Sequence, residues 1–351
     1  MLKALQDKIH DIDALLITSP ANRRYALDFA SSAGCVLVTR DAGYFLVDFR
    51  YITAARERVR GYAIEMVTAE KKYADWLTEL LAAHGVKTLG FEQDAMTFSE
   101  HAKYADAPGV TLVPSGEVLS ELRQSKQPFE IERMVRAQRV AESALDVVLP
   151  LIRPGVSERE LAAELIYRML RGGAEDVSFP PIVVSGPNSA LPHGVPGDRA
   201  FASGDVITMD FGCKVDGYCS DMTRTVVLGR ASDEVKTVYG TVLRAQLAGI
   251  DAACAGVTGR AVDEAARAVI RDAGYGDCFG HGFGHGLGLE VHEAPNASVR
   301  NDKPLPDGAV ISAEPGIYLP GKFGVRIEDV LHLTGGGCVN LTAAPKELLE
   351  L

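Results

Sequence analysis

The dipeptide formed by Asp216 and Gly217 is the sequence feature that most constrains the fold. It lies between two alternating segments, residues 206–212 and 219–226, and both of its residue types adopt a positive φ readily. We therefore predict a two-residue type I′ turn that joins these segments into an antiparallel hairpin. The turn fixes the register, because it pairs Val215 with Tyr218.

This register brings two aspartates to one face of the hairpin. It places Gly212 opposite Asp221 and Asp210 opposite Thr223, so Asp210 and Asp221 are diagonal neighbours. Diagonal Cβ atoms lie roughly 7–8 Å apart or less, and two carboxylates that converge there repel each other unless a cation lies between them. In this interpretation Gly212 leaves room for the cation. The alternative is a pair of aspartates that flank a turn and face solvent.

Residues 280–288 carry glycine at every second position. If this segment is extended, one face is bare backbone and the other carries His281, Phe283, His285 and Leu287. A single histidine is more often a hydrogen-bonded structural residue, whereas two histidines among so many glycines indicate a site that a ligand approaches closely. His292 lies further along the chain and needs a turn to reach the same face.

Two glutamates complete the set of candidate ligands, and a turn at residues 320–324 separates them. A three-residue loop would place Glu314 opposite Glu328, a four-residue loop would turn them to opposite faces, and Pro315 leaves the choice open. Four carboxylates and one imidazole on short strands suit a pair of manganese, cobalt or zinc ions. The six cysteines show no metal-ligand spacing, so we expect reduced thiols that bind no metal.

Length and patterning indicate two domains. The chain has 351 residues, whereas a usual domain has roughly 100–150. Up to residue 122 short β-branched runs alternate with helical stretches, as in an α/β domain. A polar segment at residues 123–130 ends this pattern, with Ser125 or Gln127 able to cap a helix that Pro128 begins. We predict domains at residues 1–122 and 123–351, with the chemistry in the second.

Composition excludes several classes of partner. The chain has 36 lysines and arginines against 47 aspartates and glutamates, a formal charge of −11. It has no dense basic tract, so we expect no nucleic acid partner. No apolar run approaches the roughly 20 residues that span a bilayer, and charges interrupt residues 1–16, so we expect neither membrane insertion nor export. These features predict a cytoplasmic protein.

The ordered set Asp210, Asp221, His285, Glu314 and Glu328 resembles that of the pita-bread metallopeptidases, in particular the Xaa-Pro branch of aminopeptidase P and prolidase. The likeness covers roughly residues 123–351, and the N-terminal half is similar to the more variable creatinase-type domain. The resemblance implies an α/β (α+β) fold, in which a creatinase-like α/β domain precedes a pita-bread catalytic domain. It also implies a homodimer.

The resemblance assigns the five ligands to two divalent metal ions per chain. Asp210 would chelate one ion, and Asp221 and Glu328 would bridge both. His285 and Glu314 would complete the second, with Glu314 also accepting a proton. Manganese is the expected metal, with cobalt or zinc as the next candidates.

Four further residues match positions that act on substrate or behind a ligand in that family. His292 matches the histidine beside the scissile carbonyl, and His193 and His281 match histidines that line the substrate site. Arg326 matches an arginine that fixes a ligand carboxylate from behind. With Glu314 these are the expected catalytic residues, and proline-containing peptides are the expected partners.

The predicted reaction is release of the N-terminal residue from Xaa-Pro-Yaa peptides, as by aminopeptidase P. The alternative is prolidase, which cleaves Xaa-Pro dipeptides and must neutralise the proline carboxylate. Some prolidases carry an arginine for this where the chain has Asn296, although Arg300 lies nearby in sequence.

Methionine aminopeptidase and a non-peptidase of the same fold fit the sequence less well. Methionine aminopeptidase shares the five ligands, but the upstream domain and the pairing of His281 with His285 stand against it. An inactive binding module, or a metal-free relative such as creatinase, would be expected to lose ligands, and all five are present.

Overall fold

The computed structural model describes residues 1–105 and 109–351. These residues form two compact units, Met1–Leu122 and Arg123–Leu351. Each unit is an assembly of helices and strands with a hydrophobic core of its own.

The N-terminal unit is built on a mixed sheet with strand order β4-β3-β2-β1-β5-β6. Apolar residues fill its strands, and Leu16, Leu37 and Leu89 are fully or almost fully buried. The strands are β1 Ala14–Ile17, β2 Cys35–Thr39, β3 Gly43–Asp48, β4 Ala63–Val67, β5 Thr88–Phe91 and β6 Thr111–Pro114. The helices are α1 Leu2–Gln6, α2 Pro20–Leu27, α3 Ile52–Arg58, α4 Tyr73–Ala83, α5 Phe98–Ala105 and α6 Gly116–Gln124.

The helices of the C-terminal unit begin where the sequence supplies N-caps. They are α7 Pro128–Val148, α8 Glu158–Arg171, α9 Asp233–Ala252 and α10 Gly259–Asp272. Gln127 precedes α7, with Pro128 in its first turn, and Ser157 and Glu160 form a capping box at α8. The amphipathic faces of these helices cover the strands that carry the candidate site.

The strands of the C-terminal unit are short and mostly antiparallel. They are β7 Asp176–Val177, β8 Ile182–Ser185, β9 Val206–Phe211, β10 Cys213–Val215, β11 Tyr218–Cys219, β12 Met222–Val227, β13 Gly284–Gly286, β14 Glu293–Ala297, β15 Val310–Ala313, β16 Gly316–Leu319, β17 Phe323–Arg326, β18 Asp329–Thr334 and β19 Gly337–Asn340. The sheets have the orders β11-β10-β7, β12-β9-β8, β14-β13-β15-β18-β19 and β16-β17.

The predicted hairpin and its register are confirmed. Asp216 and Gly217 have φ values of 48° and 87°, as a type I′ turn requires, and Val215 pairs with Tyr218. The register continues into β9 and β12, where Asp210 pairs with Thr223. One detail differs: a Cβ at Gly212 would lie 2.0 Å from the carbonyl oxygen of Ser220, so backbone fills the space expected for a cation.

The turn between the two glutamates has the three-residue loop. Strands β16 and β17 pair Leu319 with Phe323, which leaves residues 320–322 as the loop. Strands β15 and β18 continue the same register, with Ala313 opposite Asp329. Glu314 and Glu328 therefore occupy opposing positions, as the shorter loop predicts.

The glycine–histidine segment is extended only over β13. Its pairing with β14 shifts register between Gly284 and Gly286, and a Cβ at Gly284 would lie 1.9 Å from the Ser312 carbonyl oxygen. The prediction that Phe283 shares the face of the histidines is wrong, because Phe283 is fully buried in the core while His281 and His285 line a cavity. The register shift explains why simple alternation fails here.

Candidate metal centre

The C-terminal unit brings Asp210, Asp221, His285, Glu314 and Glu328 to one cavity, and we call these residues the ligand cluster. Potential ligand atoms of Asp221, His285 and Glu328 all lie within 4.8 Å of one another. Nε2 of His285 lies 3.6 Å from Oδ2 of Asp221 and 3.2 Å from Oε1 of Glu314. Residues within or next to strands β9, β12, β13, β15 and β18 thus converge on one cavity.

Three carboxylate oxygens of the ligand cluster are buried and have no hydrogen-bond partner among the described residues. They are Oδ1 of Asp210, Oδ1 of Asp221 and Oε1 of Glu328. Burial and neighbouring carboxylates raise the pKa of Asp221 and of Glu328 well above their usual ranges. Buried polar atoms are nearly always paired, so these three oxygens are suited to bind a cation.

His285 is oriented as a metal-ligating histidine would be. Its Nδ1 donates to the carbonyl oxygen of Gly286 at 3.1 Å, which leaves Nε2 directed at the carboxylates. Without a metal, the imidazole pairs with Glu314: burial opposes ionisation of that glutamate, but His285 lowers its pKa to about 2. A bound metal would replace the proton on His285.

The ligand cluster therefore fits a divalent metal site. Oxygen donors dominate, one imidazole is available, and the unpartnered oxygens are those that a cation would satisfy. Cys213 and Cys219 do not belong to it, because their thiols contact the backbone carbonyls of Ala137 and Leu289.

Arg326 lies directly behind the ligand cluster. It donates to Oδ2 of Asp210 at 2.6 Å, to the Tyr318 hydroxyl at 2.8 Å and to Oγ1 of Thr223 at 3.1 Å. Thr223 in turn donates to Oε2 of Glu328 at 2.7 Å. These contacts orient two ligands, and they agree with the position expected for Arg326.

Three residues that hydrogen-bond to the ligand cluster or to Arg326 are not among the predicted site residues: Thr223, Tyr318 and Ser312. The Ser312 hydroxyl donates to Oε1 of Glu314 at 3.0 Å and accepts from the His285 N–H, also at 3.0 Å. The hairpin register already placed Thr223 opposite Asp210, so that signal was present. Nothing in the sequence pattern distinguished Tyr318 from a core aromatic residue.

The predicted substrate histidines line the same cavity, which has a volume of about 580 Å³. His193 and His292 are exposed to it, and the rings of His292 and His285 lie 4.2 Å apart. Burial and the charge of His285 lower the pKa of His292, so its neutral form predominates near pH 7. A neutral imidazole retains one N–H to donate to a substrate oxygen.

His281 occupies a more enclosed position. Its Nδ1 donates to the Gly282 carbonyl at 2.9 Å, and its Nε2 is hydrogen-bonded to the Tyr318 hydroxyl, also at 2.9 Å. Burial lowers the pKa of His281. A chain of contacts therefore runs from His281 through Tyr318 and Arg326 to Asp210.

The cavity wall away from the ligand cluster is apolar. Its lining residues are Phe179, Pro180, Pro181, Ile182, Pro192, Val195, Pro196 and Val291. Such a wall can bury an apolar side chain or a proline ring beside the carboxylates. Among the described residues that line the cavity, Arg326 is the sole arginine or lysine, and it is already paired with Asp210.

Comparison with known proteins identifies the family. Residues 132–335 match the metallopeptidase family M24, and residues 1–125 match the creatinase/prolidase N-terminal domain. The chain belongs to metallopeptidase family M24. Its fold, a creatinase-type domain followed by a pita-bread catalytic domain, is the one that the resemblance implied.

Proteins similar to this chain over almost all of its length include Xaa-Pro dipeptidases and an X-Pro aminopeptidase. The structure of an Xaa-Pro dipeptidase from Bacillus anthracis is 41% identical with a TM-score of 0.96, covering 100% of this chain and 99% of that one. An X-Pro aminopeptidase from Thermotoga maritima is 38% identical with a TM-score of 0.94, covering 99% of each. An Xaa-Pro dipeptidase from Pyrococcus furiosus is 35% identical over 97% of this chain and 96% of its own.

The chain is thus a hydrolase of an Xaa-Pro peptidase family, and the family implies the use of divalent metal. In the part of the chain that the structure describes, no helix has the length and apolarity to cross a membrane.

Proposed function

We propose that this protein is a two-metal Xaa-Pro dipeptidase, and that the ligand cluster is its catalytic centre. The observation that supports a metal centre is the set of unpartnered buried oxygens on Asp210, Asp221 and Glu328. Two divalent cations there would activate water and stabilise the charge that develops on the scissile carbonyl. Manganese suits the oxygen-rich donor set.

The protein's own residues then have distinct tasks. Glu314 accepts a proton, because its carboxylate lies in the ligand cluster at the cavity. His292 donates to the developing oxyanion from the cavity wall. His193 and His281 contact the substrate from the cavity, and Arg326 holds Asp210 in place.

The names of similar proteins support cleavage of dipeptides rather than of the longer peptides expected from the sequence. Full-length relatives from Bacillus anthracis and Pyrococcus furiosus are named Xaa-Pro dipeptidases. Prolidase activity is therefore the main proposal.

One structural observation favours the aminopeptidase P reaction as a second candidate. A dipeptide carboxylate needs a cation, yet Arg326 is committed to Asp210, and Asn296 is neutral. Arg300 is exposed and lies outside the lining of the cavity. A longer peptide replaces that carboxylate with a neutral amide.

Cleavage of Ala-Pro and Ala-Pro-Ala at equal manganese concentration decides between the two. A dipeptidase should show a kcat/KM at least about tenfold higher for Ala-Pro, equivalent to about 1.4 kcal/mol. Ala-Ala is the control for the proline requirement. Hydrolysis of Ala-Pro-Ala with no cleavage of Ala-Pro would establish the second candidate, and no cleavage of either by manganese-loaded protein would refute both.

Two variants test which side chain, if any, neutralises the carboxylate of a bound dipeptide. If the carboxylate is neutralised by Arg300, Arg300→Ala should remove the preference for Ala-Pro. If nothing neutralises it, Asn296→Arg should create or strengthen that preference. The homodimer and the cytoplasmic location remain predictions, and the molecular mass in solution tests the former.

A further inference from the structure

The segment at residues 279–283, which carries His281, has little structure of its own. It lies outside the described strands, and glycines occupy positions 280 and 282. Glycine has more backbone freedom than any other residue, so a fixed position for His281 requires anchoring from another element.

A buried ion pair on α10 supplies that anchoring. Asp263 and Arg267 lie one turn apart and form two hydrogen bonds, of 2.8 and 3.1 Å. The Asp263 side chain is completely buried, and that of Arg267 is 19% exposed. Such a pair needs further hydrogen bonds to offset the loss of hydration of both charges.

Those further bonds all go to the histidine segment. Arg267 donates to the carbonyl oxygens of Phe279 at 2.9 Å and of His281 at 2.6 Å. Asp263 accepts from the backbone N–H of Phe283 at 2.8 Å. The pair thus holds every second residue of the segment, and the Arg267 guanidinium also covers the Phe279 ring at 4.2 Å.

We propose that Asp263 and Arg267 are positioning residues, which fix the backbone of residues 279–283 and so place the His281 ring against Tyr318 at the cavity wall. This inference rests on the proposed function, because it assumes that His281 contributes to cleavage. His285, the member of the ligand cluster that follows in the chain, is held separately: it lies in β13, and the Ser312 hydroxyl accepts its backbone N–H. The pair should therefore affect catalysis without affecting metal binding.

The decisive variant replaces both charges, as Asp263→Leu with Arg267→Met. Removal of one partner alone would leave a buried unpaired charge and endanger folding, whereas joint replacement by apolar residues is often tolerated. Arg267→Lys keeps the charge but cannot reproduce the fork that reaches two carbonyls. Arg271→Gln is the matched control, because Arg271 is an exposed residue one turn further along α10 that pairs with Glu264.

Hydrogen exchange of residues 279–286 tests the anchoring without reference to activity. We expect exchange at Phe283 and its neighbours to accelerate about tenfold or more in the double variant, and to remain unchanged in Arg271→Gln. Unchanged exchange in the double variant would overturn the proposal.

Activity and metal content test the consequence. The substrate is whichever of Ala-Pro and Ala-Pro-Ala the wild-type protein cleaves. We expect its kcat/KM to fall roughly 10- to 100-fold in the double variant, as for a misplaced active-site group, with manganese content unchanged. Arg267→Lys should fall between the double variant and wild type. Faster exchange with normal kcat/KM would refute the positioning role.

A cycle with His281→Ala separates positioning from general stability. If the pair acts through His281, replacing it in the His281→Ala background should cause little further loss of kcat/KM. An equal loss in both backgrounds would overturn the proposal. Wild-type protein that cleaves no Xaa-Pro peptide would refute the proposed function instead, while the exchange measurement would still decide whether the pair holds the segment.

Discussion

Glu328 and Asp329 are adjacent in the chain and both are buried, yet their surroundings are opposite. Asp329 accepts from Arg224 at 2.9 Å, from Asn340 at 2.7 Å and from Lys346 at 2.8 Å. Glu328 accepts from Thr223 through one oxygen, while its other oxygen has no partner among the described residues. A fully paired carboxylate stabilises the fold, whereas an incompletely paired one indicates a ligand that the chain itself does not supply.

The largest expected effect comes from replacing a carboxylate of the ligand cluster, where pairing is incomplete. Asp221→Asn should remove bound manganese and lower kcat by about 10³-fold or more, because several kcal/mol of transition-state stabilisation depend on the metals. The unfolding free energy of the metal-free protein should not fall, since the change relieves repulsion between buried carboxylates. Elemental analysis, peptide cleavage and urea denaturation measure these quantities. Full manganese content and activity in the variant would contradict the assignment.

Replacement of the fully paired Asp329 should have the opposite effect: stability should fall, and metal binding should remain. Asp329→Asn should lower the free energy of unfolding by about 3 kcal/mol, because Arg224 would remain buried without its counter-ion. Manganese content per folded chain should be retained. Asp302→Asn, which breaks an exposed pair with Arg260, is the control and should leave stability unchanged. Loss of metal in Asp329→Asn without loss of stability would remove the distinction between the two carboxylates.

Replacement of His292 tests whether a side chain of the cavity wall contributes to catalysis without contributing to metal binding. His292→Ala should lower kcat by roughly 10²–10³, the range for loss of one oxyanion donor, with unchanged manganese content. The melting temperature should change little, because this side chain is exposed to the cavity. If the variant loses metal while its metal-loaded fraction turns over normally, His292 is a structural residue.

The smallest expected effect concerns Glu293, another fully paired carboxylate. Burial alone would raise its pKa, but Lys126 and Arg123 lower it below the usual range. Its contribution to stability is therefore present above the unfolded pKa of about 4.3 and is lost as pH falls through the folded pKa. Unfolding free energies measured below about pH 4.3 should decline less steeply with falling pH in Glu293→Gln than in wild type. Equal slopes would show that the pairing does not favour the ionised form.

The features that can be predicted from the sequence are those that local backbone geometry determines. The type I′ turn at Asp216 and Gly217 determined which residues of β9 and β12 face each other, so Asp210 and Asp221 were placed from turn chemistry alone. The sequence does not determine the length of the loop between Glu314 and Glu328, because Pro315 obscures where strand pairing begins. Side-chain partners such as Tyr318, and the shift that sends Phe283 into the core, depend on tertiary packing that no local pattern encodes.

The three-residue loop at residues 320–322 gives the metal site an unusual dependence on chain length. Surface loops ordinarily accept insertions and deletions during evolution. Here one residue added to a strand of the hairpin, with the loop kept at three residues, would reverse which side of the strand each following side chain occupies, until a bulge restored the alternation. Glu328 and Asp329 would then exchange surroundings, although every ligand would still be present in the sequence. In this part of the molecule, the number of residues determines where the ligands lie as much as their identity does.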